Sequence, residues 1–360
     1  MIEFSGVSRD PILSQELISK FKNSEHKILV LDWWELIGKY KHSHELFEKA
    51  SELVKKYDIC FFIVREELVF YIDIYKIKKL LDELNKLNVF YLTLSTDSRV
   101  STATSKTYNI PWFVLNSENF YISKNTTIDF DYRQKDYTFN MLLGVDKHYR
   151  TLLFELLRNE QYIYSTYFGH KEFRPFSSTH LEDNDVLDNF YSQDVSSSRL
   201  ETMQHVRRGG RNICLSHNIP EKIYNNSHFD IVTESLPLEN GLHFTSEKTG
   251  KPLSTGRFFI WYNSANTVEY LRQFGFELQD YLSEYDGIKC NIDRMAAVNY
   301  LIREIGDNEN YIKKIYKDTK EARMYNQEVF KKLSTTTKSD INSWMAKKIN
   351  RSTTSEKTNA

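Results

Sequence analysis

Nearly continuous apolar runs alternate with amphipathic segments along the first third of the chain. Residues 27–34, 59–64 and 89–94 each have the length and the β-branched or aromatic content of a buried strand. Between the last two runs, residues 74–87 carry leucines and isoleucines at helical spacing. Because alternating strands and helices with apolar strands are typical of a parallel sheet covered on both faces, we predict an α/β domain here. Residues 111–115 are predicted as a fourth strand.

The same alternation returns after a polar stretch at 123–137, where we place a domain boundary. A helix is predicted from Leu152, and another is predicted to start near Thr245–Glu247. Predicted strands of this second half are 138–144, 162–168, 228–233 and 258–261. Residues 171–210 are polar and weakly periodic, which indicates a long loop or an insertion.

Four segments are therefore expected along the chain. These are an N-terminal domain (1–130), a C-terminal domain (138–305), C-terminal helices (306–333) and a flexible tail (334–360). The helices are expected to pack back across both domains. A length of 360 residues agrees with two domains of ordinary size.

Composition narrows the class of protein. A formal net charge of -1 disfavours, without excluding, a nucleic-acid partner, since non-specific binders usually carry a basic field. The three cysteines lack CxxC spacing, which indicates neither a disulfide framework nor a zinc site. With no signal peptide and no apolar run of transmembrane length, cytoplasmic residence is the expectation.

The most informative segment follows the strand that ends at Glu234. Ser246 or Thr245 can cap a helix that carries Glu247 and Lys248 in its first turn. The N-terminus of a helix favours a diphosphate, and a lysine there neutralises the charge that develops as a leaving group departs. From the residues alone, an ordinary helix cap with a solvated ion pair is an equally good interpretation.

The block Ser246–Pro252, followed by Arg257-Phe-Phe-Ile260, resembles a recurring block of phage and bacterial glycosyltransferases. It is also similar, more distantly, to the donor-binding block of fucosyltransferases with the two-domain GT-B fold. In those enzymes an aromatic residue and a Glu-Lys pair contact the ribose and phosphates of the nucleotide. The resemblance implies these roles for Phe244, Glu247 and Lys248, with Phe244 lacking the hydroxyl of a tyrosine.

Two further stretches extend this resemblance over most of residues 138–280. Residues 139–150 resemble the first strand and basic loop of the same domain, which implies that Lys147, His148 and Arg150 hold phosphate. Residues 218–235 resemble the approach to the carboxylate of Glu234. A salt bridge at the start of a surface helix is the simpler alternative for Arg150.

The catalytic base is expected in the N-terminal domain, at the carboxyl end of a strand. Glu35, Glu66 or Glu67, and Asp97 satisfy this rule, and we rank Asp97 and Glu66 first. No obligatory metal is expected. Asp129 and Asp131 match the DxD pattern by which other transferases hold a metal, but they lie in the predicted linker.

The fold class expected is therefore α/β, with two Rossmann-like domains facing a cleft. As in GT-B enzymes, the resemblance implies that the N-terminal domain binds the acceptor and the C-terminal domain binds the donor. The expected reaction transfers a sugar from a nucleotide sugar to a hydroxyl of a glycan or another acceptor, without a further cofactor. Two alternatives remain open: a non-catalytic nucleotide- or sugar-binding module, and another two-domain α/β enzyme that acts on a phosphorylated metabolite. The basic segment Arg207–Arg211 is interpreted as a solvated loop, although it could contact an acceptor phosphate.

Overall fold

The structure is a computed structural model, and its chain divides into two compact units. The first unit comprises residues 1–115 and 335–360, and the second comprises residues 116–334. The structure describes residues 2–5, 18–19, 22–32, 52–64, 89–93, 107–109, 112–115, 129–143, 148–167, 205–208, 211–214, 219, 221–234, 243 and 245–357.

The first unit contains a parallel five-stranded sheet whose spatial order follows the chain. Its strands are β1 (Ile2–Ser5), β2 (Ile28–Asp32), β3 (Ile59–Val64), β4 (Val89–Thr93) and β5 (Thr107–Asn109). The side chains at 28–31 of β2 and 59–63 of β3 are almost fully buried, as the apolar runs predict. The short helix α1 (Trp112–Leu115) follows β5.

The predicted fourth strand is therefore wrong in its position. Residues 112–115 form α1, and the chain pairs with β4 through Thr107–Asn109 instead. Phe113 and Val114 are fully buried in α1. A short apolar run reports burial and does not distinguish a strand from a helical turn, which accounts for the error.

The second unit is built on a four-stranded parallel sheet with the order β11-β10-β6-β7. Its strands are β6 (Tyr137–Leu143), β7 (Ile163–Tyr167), β10 (Ser227–Thr233) and β11 (Phe259–Tyr262). An antiparallel pair, β8 (His205–Arg208) and β9 (Arg211–Cys214), forms a separate two-stranded sheet. The segment interpreted as a basic loop is thus part of a hairpin.

Helices connect and follow these strands. They are α2 (His148–Leu157), α3 (Glu221–Asn226), α4 (Glu247–Ser254), α5 (Thr267–Arg272), α6 (Asp280–Asp286), α7 (Asn291–Ile305) and α8 (Glu309–Lys357). Gly306, at a φ of 37°, ends α7 and separates it from α8. None of the described helices is long and apolar enough to cross a membrane.

Residues from 334 onward were expected to be a flexible tail, but α8 continues through them to Lys357. Ile341, Met345 and Ile349 recur every four residues and are buried against β2, β3 and β4. Trp344 meets the ring of Tyr108 at 5.4 Å. The flexible tail was predicted from the polar composition of this segment, but its few apolar residues form a stripe on one face of α8 that packs within the first unit.

We expect Met345→Ala to lower the free energy of unfolding by about 2–5 kcal/mol, because it removes a fully buried side chain from this cluster. Urea denaturation measures the change. Lys347→Ala, at an exposed position two residues away, is the control and should leave stability nearly unchanged. Equal, negligible effects of both substitutions would show that α8 does not pack on the sheet.

Taken together, the chain has a mixed α/β fold with parallel sheets. Both sheets are parallel, as the alternating pattern predicts. The helix predicted at 74–87 lies outside the described residues. The carboxyl edge of the second sheet, where the strands end and the helices α2, α4 and α5 begin, contains five of the predicted donor-binding residues.

Candidate functional site

Strands β6 and β10 are parallel neighbours in the second sheet, and the chain continues from them toward opposite edges of the sheet. From β6 it continues to β7 on one side, and from β10 it continues to β11 on the other. In open parallel sheets, ligands bind in the crevice at the carboxyl ends of two strands related in this way. The candidate site is therefore the carboxyl edge at β6 and β10.

The first turn of α2 holds the end of β10 through two carbonyl groups. Tyr149 donates a hydrogen bond from its hydroxyl to the Glu234 carbonyl at 2.6 Å, and Arg150 donates from Nη2 to the Thr233 carbonyl at 3.1 Å. Arg150 is only 1 % exposed. Its guanidinium thus fixes the relative positions of α2 and β10 in this structure.

The carboxylate of Glu234 binds the beginning of α4. Oε1 accepts a hydrogen bond from the Ser246 backbone N–H at 2.9 Å and from the Thr249 hydroxyl at 2.5 Å. Oε2 accepts one from the Ser246 hydroxyl at 2.5 Å. Since Glu234 is fully buried and both oxygens are engaged, it orients the first turn of α4.

Of the two N-cap candidates in the sequence, Ser246 is the N-cap of α4. Its backbone is extended, and its Oγ accepts a hydrogen bond from the Lys248 N–H at 3.3 Å. The N-terminus of α4 is thereby fixed at the sheet edge, with its positive dipole end beside the end of β10.

Glu247 and Lys248 form an ion pair in this first turn. Lys248 Nζ lies 2.5 Å from Glu247 Oε1 and 3.2 Å from Ser246 Oγ. Burial raises the pKa of Glu247, but the charges of Lys248 and Lys251 and hydrogen bonds to the carboxylate together outweigh it, so the pKa falls to about 2. A helix N-terminus with an ammonium group is suited to an anionic group such as a diphosphate.

The loop after β11 supplies a third part of the edge. Thr267, at the start of α5, donates from its backbone N–H to Asp286 Oδ1 at 3.0 Å and from its hydroxyl to the Ser264 carbonyl at 2.5 Å. The same hydroxyl lies 3.3 Å from His243 Nδ1. The ring of His243 stacks on Tyr270 with a centroid separation of 5.1 Å and an interplanar angle of 11°.

The structure brings together five of the predicted donor-binding residues at this edge: Arg150, Glu234, Ser246, Glu247 and Lys248. His148 begins α2 and is exposed. Four other predicted site residues, together with the further base candidates, lie outside the described residues: Lys147, Phe244, Glu66, Asp97, Glu35 and Glu67.

The DxD pattern is not part of this edge. Asp129 pairs with Arg133 at 2.8 Å and Lys135 at 3.0 Å, while Asp131 pairs with Lys320 at 2.7 Å. Within the described part of the chain, no group of three or more His, Cys, Asp or Glu residues is placed to hold a metal ion. Both aspartates therefore have cationic partners in this structure.

Three residues of the edge were not identified from the sequence: Tyr149, His243 and Thr267. Tyr149 lies next to predicted residues, so proximity was a usable signal for it. His243 and Thr267 come together only because β10 and β11 are adjacent, which no local pattern reports.

We expect the imidazole of His243 to stay neutral from pH 8 down to about pH 5, because burial lowers its pKa to about 4. Long-range ¹H–¹⁵N NMR of the imidazole nitrogens measures this titration. A midpoint near 6.5, the value of an exposed histidine, would contradict the burial of this ring.

Comparison with known proteins adds no relative: the chain matches no protein-family model, no curated protein and no solved structure.

Proposed function

We propose that this protein is a glycosyltransferase of the GT-B type, with two Rossmann-like domains, that transfers a sugar from a nucleotide-sugar donor to a hydroxyl acceptor. The unit comprising residues 116–334 would bind the donor. Its parallel sheet and the reversal of strand order between β6 and β10 support this assignment, because nucleotides bind at such edges.

One observation carries the proposal: the capped N-terminus of α4, with Lys248, is fixed at the carboxyl edge by the buried Glu234. An ordinary helix cap needs only Ser246. Here a buried carboxylate additionally holds the cap and Thr249, so the first turn is preorganised where a ligand is expected.

The chemistry follows from charge. A nucleotide sugar gains negative charge on its diphosphate as the glycosidic bond breaks. The dipole of α4 and the Lys248 ammonium would stabilise that charge without a metal ion. Lys147 and His148 would contribute from the loop and helix after β6, as the resemblance implies, whereas the buried Arg150 would act by holding α2 against β10.

The reaction also needs an acceptor and a catalytic base. We propose a glycan or another hydroxyl-bearing acceptor, with Asp97 or Glu66 of the N-terminal domain as the base that removes the hydroxyl proton. The first unit supplies parallel strands β3 and β4, after which these two residues follow in sequence.

Slow hydrolysis of a nucleotide sugar without acceptor tests the proposal. We expect purified protein to release free sugar from one nucleotide sugar at a rate that EDTA leaves unchanged, because cations of the protein stabilise the leaving group. Chromatography of the products measures the release. Nucleotide binding without any hydrolysis would favour a non-catalytic binding module. Loss of hydrolysis with EDTA, restored by manganese, would favour a metal site instead.

A further inference from the structure

We propose that Nε2 of His243 accepts a hydrogen bond from a hydroxyl or N–H group on the nucleoside part of the nucleotide bound at α4. This inference rests on the proposed function and deepens it, since it assigns recognition of the nucleoside to a residue that no sequence motif marks. Its support comes from the position of His243, its tautomer and its fixed ring.

His243 lies between two helix starts at the carboxyl edge. Along the chain it precedes Ser246, the N-cap of α4, by three residues. In space it contacts Thr267 and Tyr270 at the beginning of α5. Three residues of chain span at most about 11 Å, so the nucleoside of a nucleotide whose diphosphate lies at α4 can reach this residue.

The hydrogen bonds of Thr267 determine which nitrogen of His243 carries the proton. The Thr267 hydroxyl has a single proton and donates it to the Ser264 carbonyl at 2.5 Å. Toward His243 Nδ1, at 3.3 Å, this hydroxyl can therefore only accept. Nδ1 must carry the proton, and in the neutral ring Nε2 is then an acceptor with a lone pair.

The direction of that lone pair is fixed by packing. Stacking on Tyr270 and the hydrogen bond to Thr267 hold the ring in one orientation. Among the described residues, none forms a hydrogen bond with His243 Nε2, and the side chain is only half-buried. An oriented acceptor with no partner from the described protein is suited to a ligand.

The protonation state of His243 determines which groups of the ligand can bind Nε2. Burial lowers the pKa of His243 to about 4, so the ring is neutral near pH 7. A neutral ring that presents a lone pair repels phosphate oxygens, which are themselves acceptors. Hydroxyl and N–H groups are donors, and in a nucleotide they belong to the ribose and the base. The diphosphate would instead bind the N-terminus of α4 and Lys248.

Isothermal titration calorimetry on two variants tests the proposal. The probes are UDP, GDP, ADP, CDP and inorganic pyrophosphate. His243→Asn keeps an N–H near Nδ1 and removes the acceptor at Nε2, whereas His243→Gln places an amide oxygen near Nε2. We expect the nucleoside diphosphate that binds the wild-type protein to bind His243→Asn about tenfold more weakly. His243→Gln should stay within about threefold, and pyrophosphate should bind all three proteins alike.

The outcomes separate the two proposals. If no nucleoside diphosphate binds the wild-type protein, the proposed function fails and this inference fails with it. If one binds, and His243→Asn binds it as tightly as the wild type, only the role of His243 is overturned. Equal weakening of pyrophosphate by His243→Asn also overturns it, because the defect would then concern the diphosphate.

A measurement on the wild-type protein covers the case in which the variants do not fold. Long-range ¹H–¹⁵N NMR should show a protonated Nδ1 and an unprotonated Nε2 near pH 7. Addition of the bound nucleoside diphosphate should shift the Nε2 resonance, and pyrophosphate should not. A protonated Nε2, or an Nε2 resonance that the nucleotide leaves unchanged, would overturn the proposal.

Discussion

Lys248→Ala is expected to weaken nucleoside diphosphate binding about a hundredfold, which corresponds to about 3 kcal/mol. The substitution removes the ammonium group of the first turn of α4 and leaves Glu247 without its partner at 2.5 Å. A carboxylate that has lost its counter-ion then repels the diphosphate, so the effect exceeds that of one hydrogen bond. Isothermal titration calorimetry measures the affinity.

Lys317→Ala is the matched control for this experiment. It removes the same charge from the same unit at an exposed position of α8, next to Tyr316, whose ring meets His228 near the amino end of β10. Affinity should stay within about twofold of the wild type. If Lys248→Ala bound the nucleoside diphosphate as tightly as the wild type, the donor would not bind at the N-terminus of α4.

Glu234→Ala is expected to lower the free energy of unfolding by about 3 kcal/mol or more and to abolish donor binding. The carboxylate accepts three hydrogen bonds from Ser246 and Thr249, and all of these groups are buried. Its removal leaves a backbone N–H and two hydroxyls without an acceptor at the start of α4. Chemical denaturation and calorimetry measure the two effects.

Glu269→Ala provides the comparison, because it removes an exposed carboxylate from α5 in the same unit. We expect its effect on stability to stay within about 0.5 kcal/mol. If Glu234→Ala were as mild as Glu269→Ala, the carboxylate would not organise the first turn of α4. Stability lost with donor affinity retained would separate the structural role of Glu234 from the proposed ligand site.

Most strands of both sheets could be predicted because each is a short apolar run between polar segments. The predicted bounds of β3, 59–64, agree with the structure, and those of β6 and β10 differ by one residue. Parallel strands buried on both faces give the strongest pattern of this kind.

The elements that escaped prediction have weaker local patterns. Residues 112–115 are apolar but too short for a period to be read, and they form a helical turn. The end of α8 is rich in Ser, Thr, Asn and Lys, a composition that indicates a flexible tail. Its buried apolar residues are four apart, which is helical spacing, but they are too few to change that prediction. The role of these apolar residues is evident only from their packing against the first sheet.

The parts of the site that depend on neighbouring residues in the sequence could be predicted. Ser246 is an N-cap because Ser precedes a helix with Glu in its first turn, and the structure agrees. The hydrogen bonds from Ser246 and Thr249 to Glu234, and the contact of His243 with Thr267, join segments 12 to 24 residues apart. Such contacts depend on strand order, which the sequence pattern does not specify.

A thermal-shift screen of the purified protein against nucleoside diphosphates and nucleotide sugars tests the central claim most directly. A ligand present at a hundred times its dissociation constant should raise the free energy of unfolding by about 2.7 kcal/mol. The account predicts a selective shift with one nucleotide and its sugar conjugate, which disappears in Lys248→Ala. No shift with any nucleotide, or an equal shift in Lys248→Ala, would contradict it.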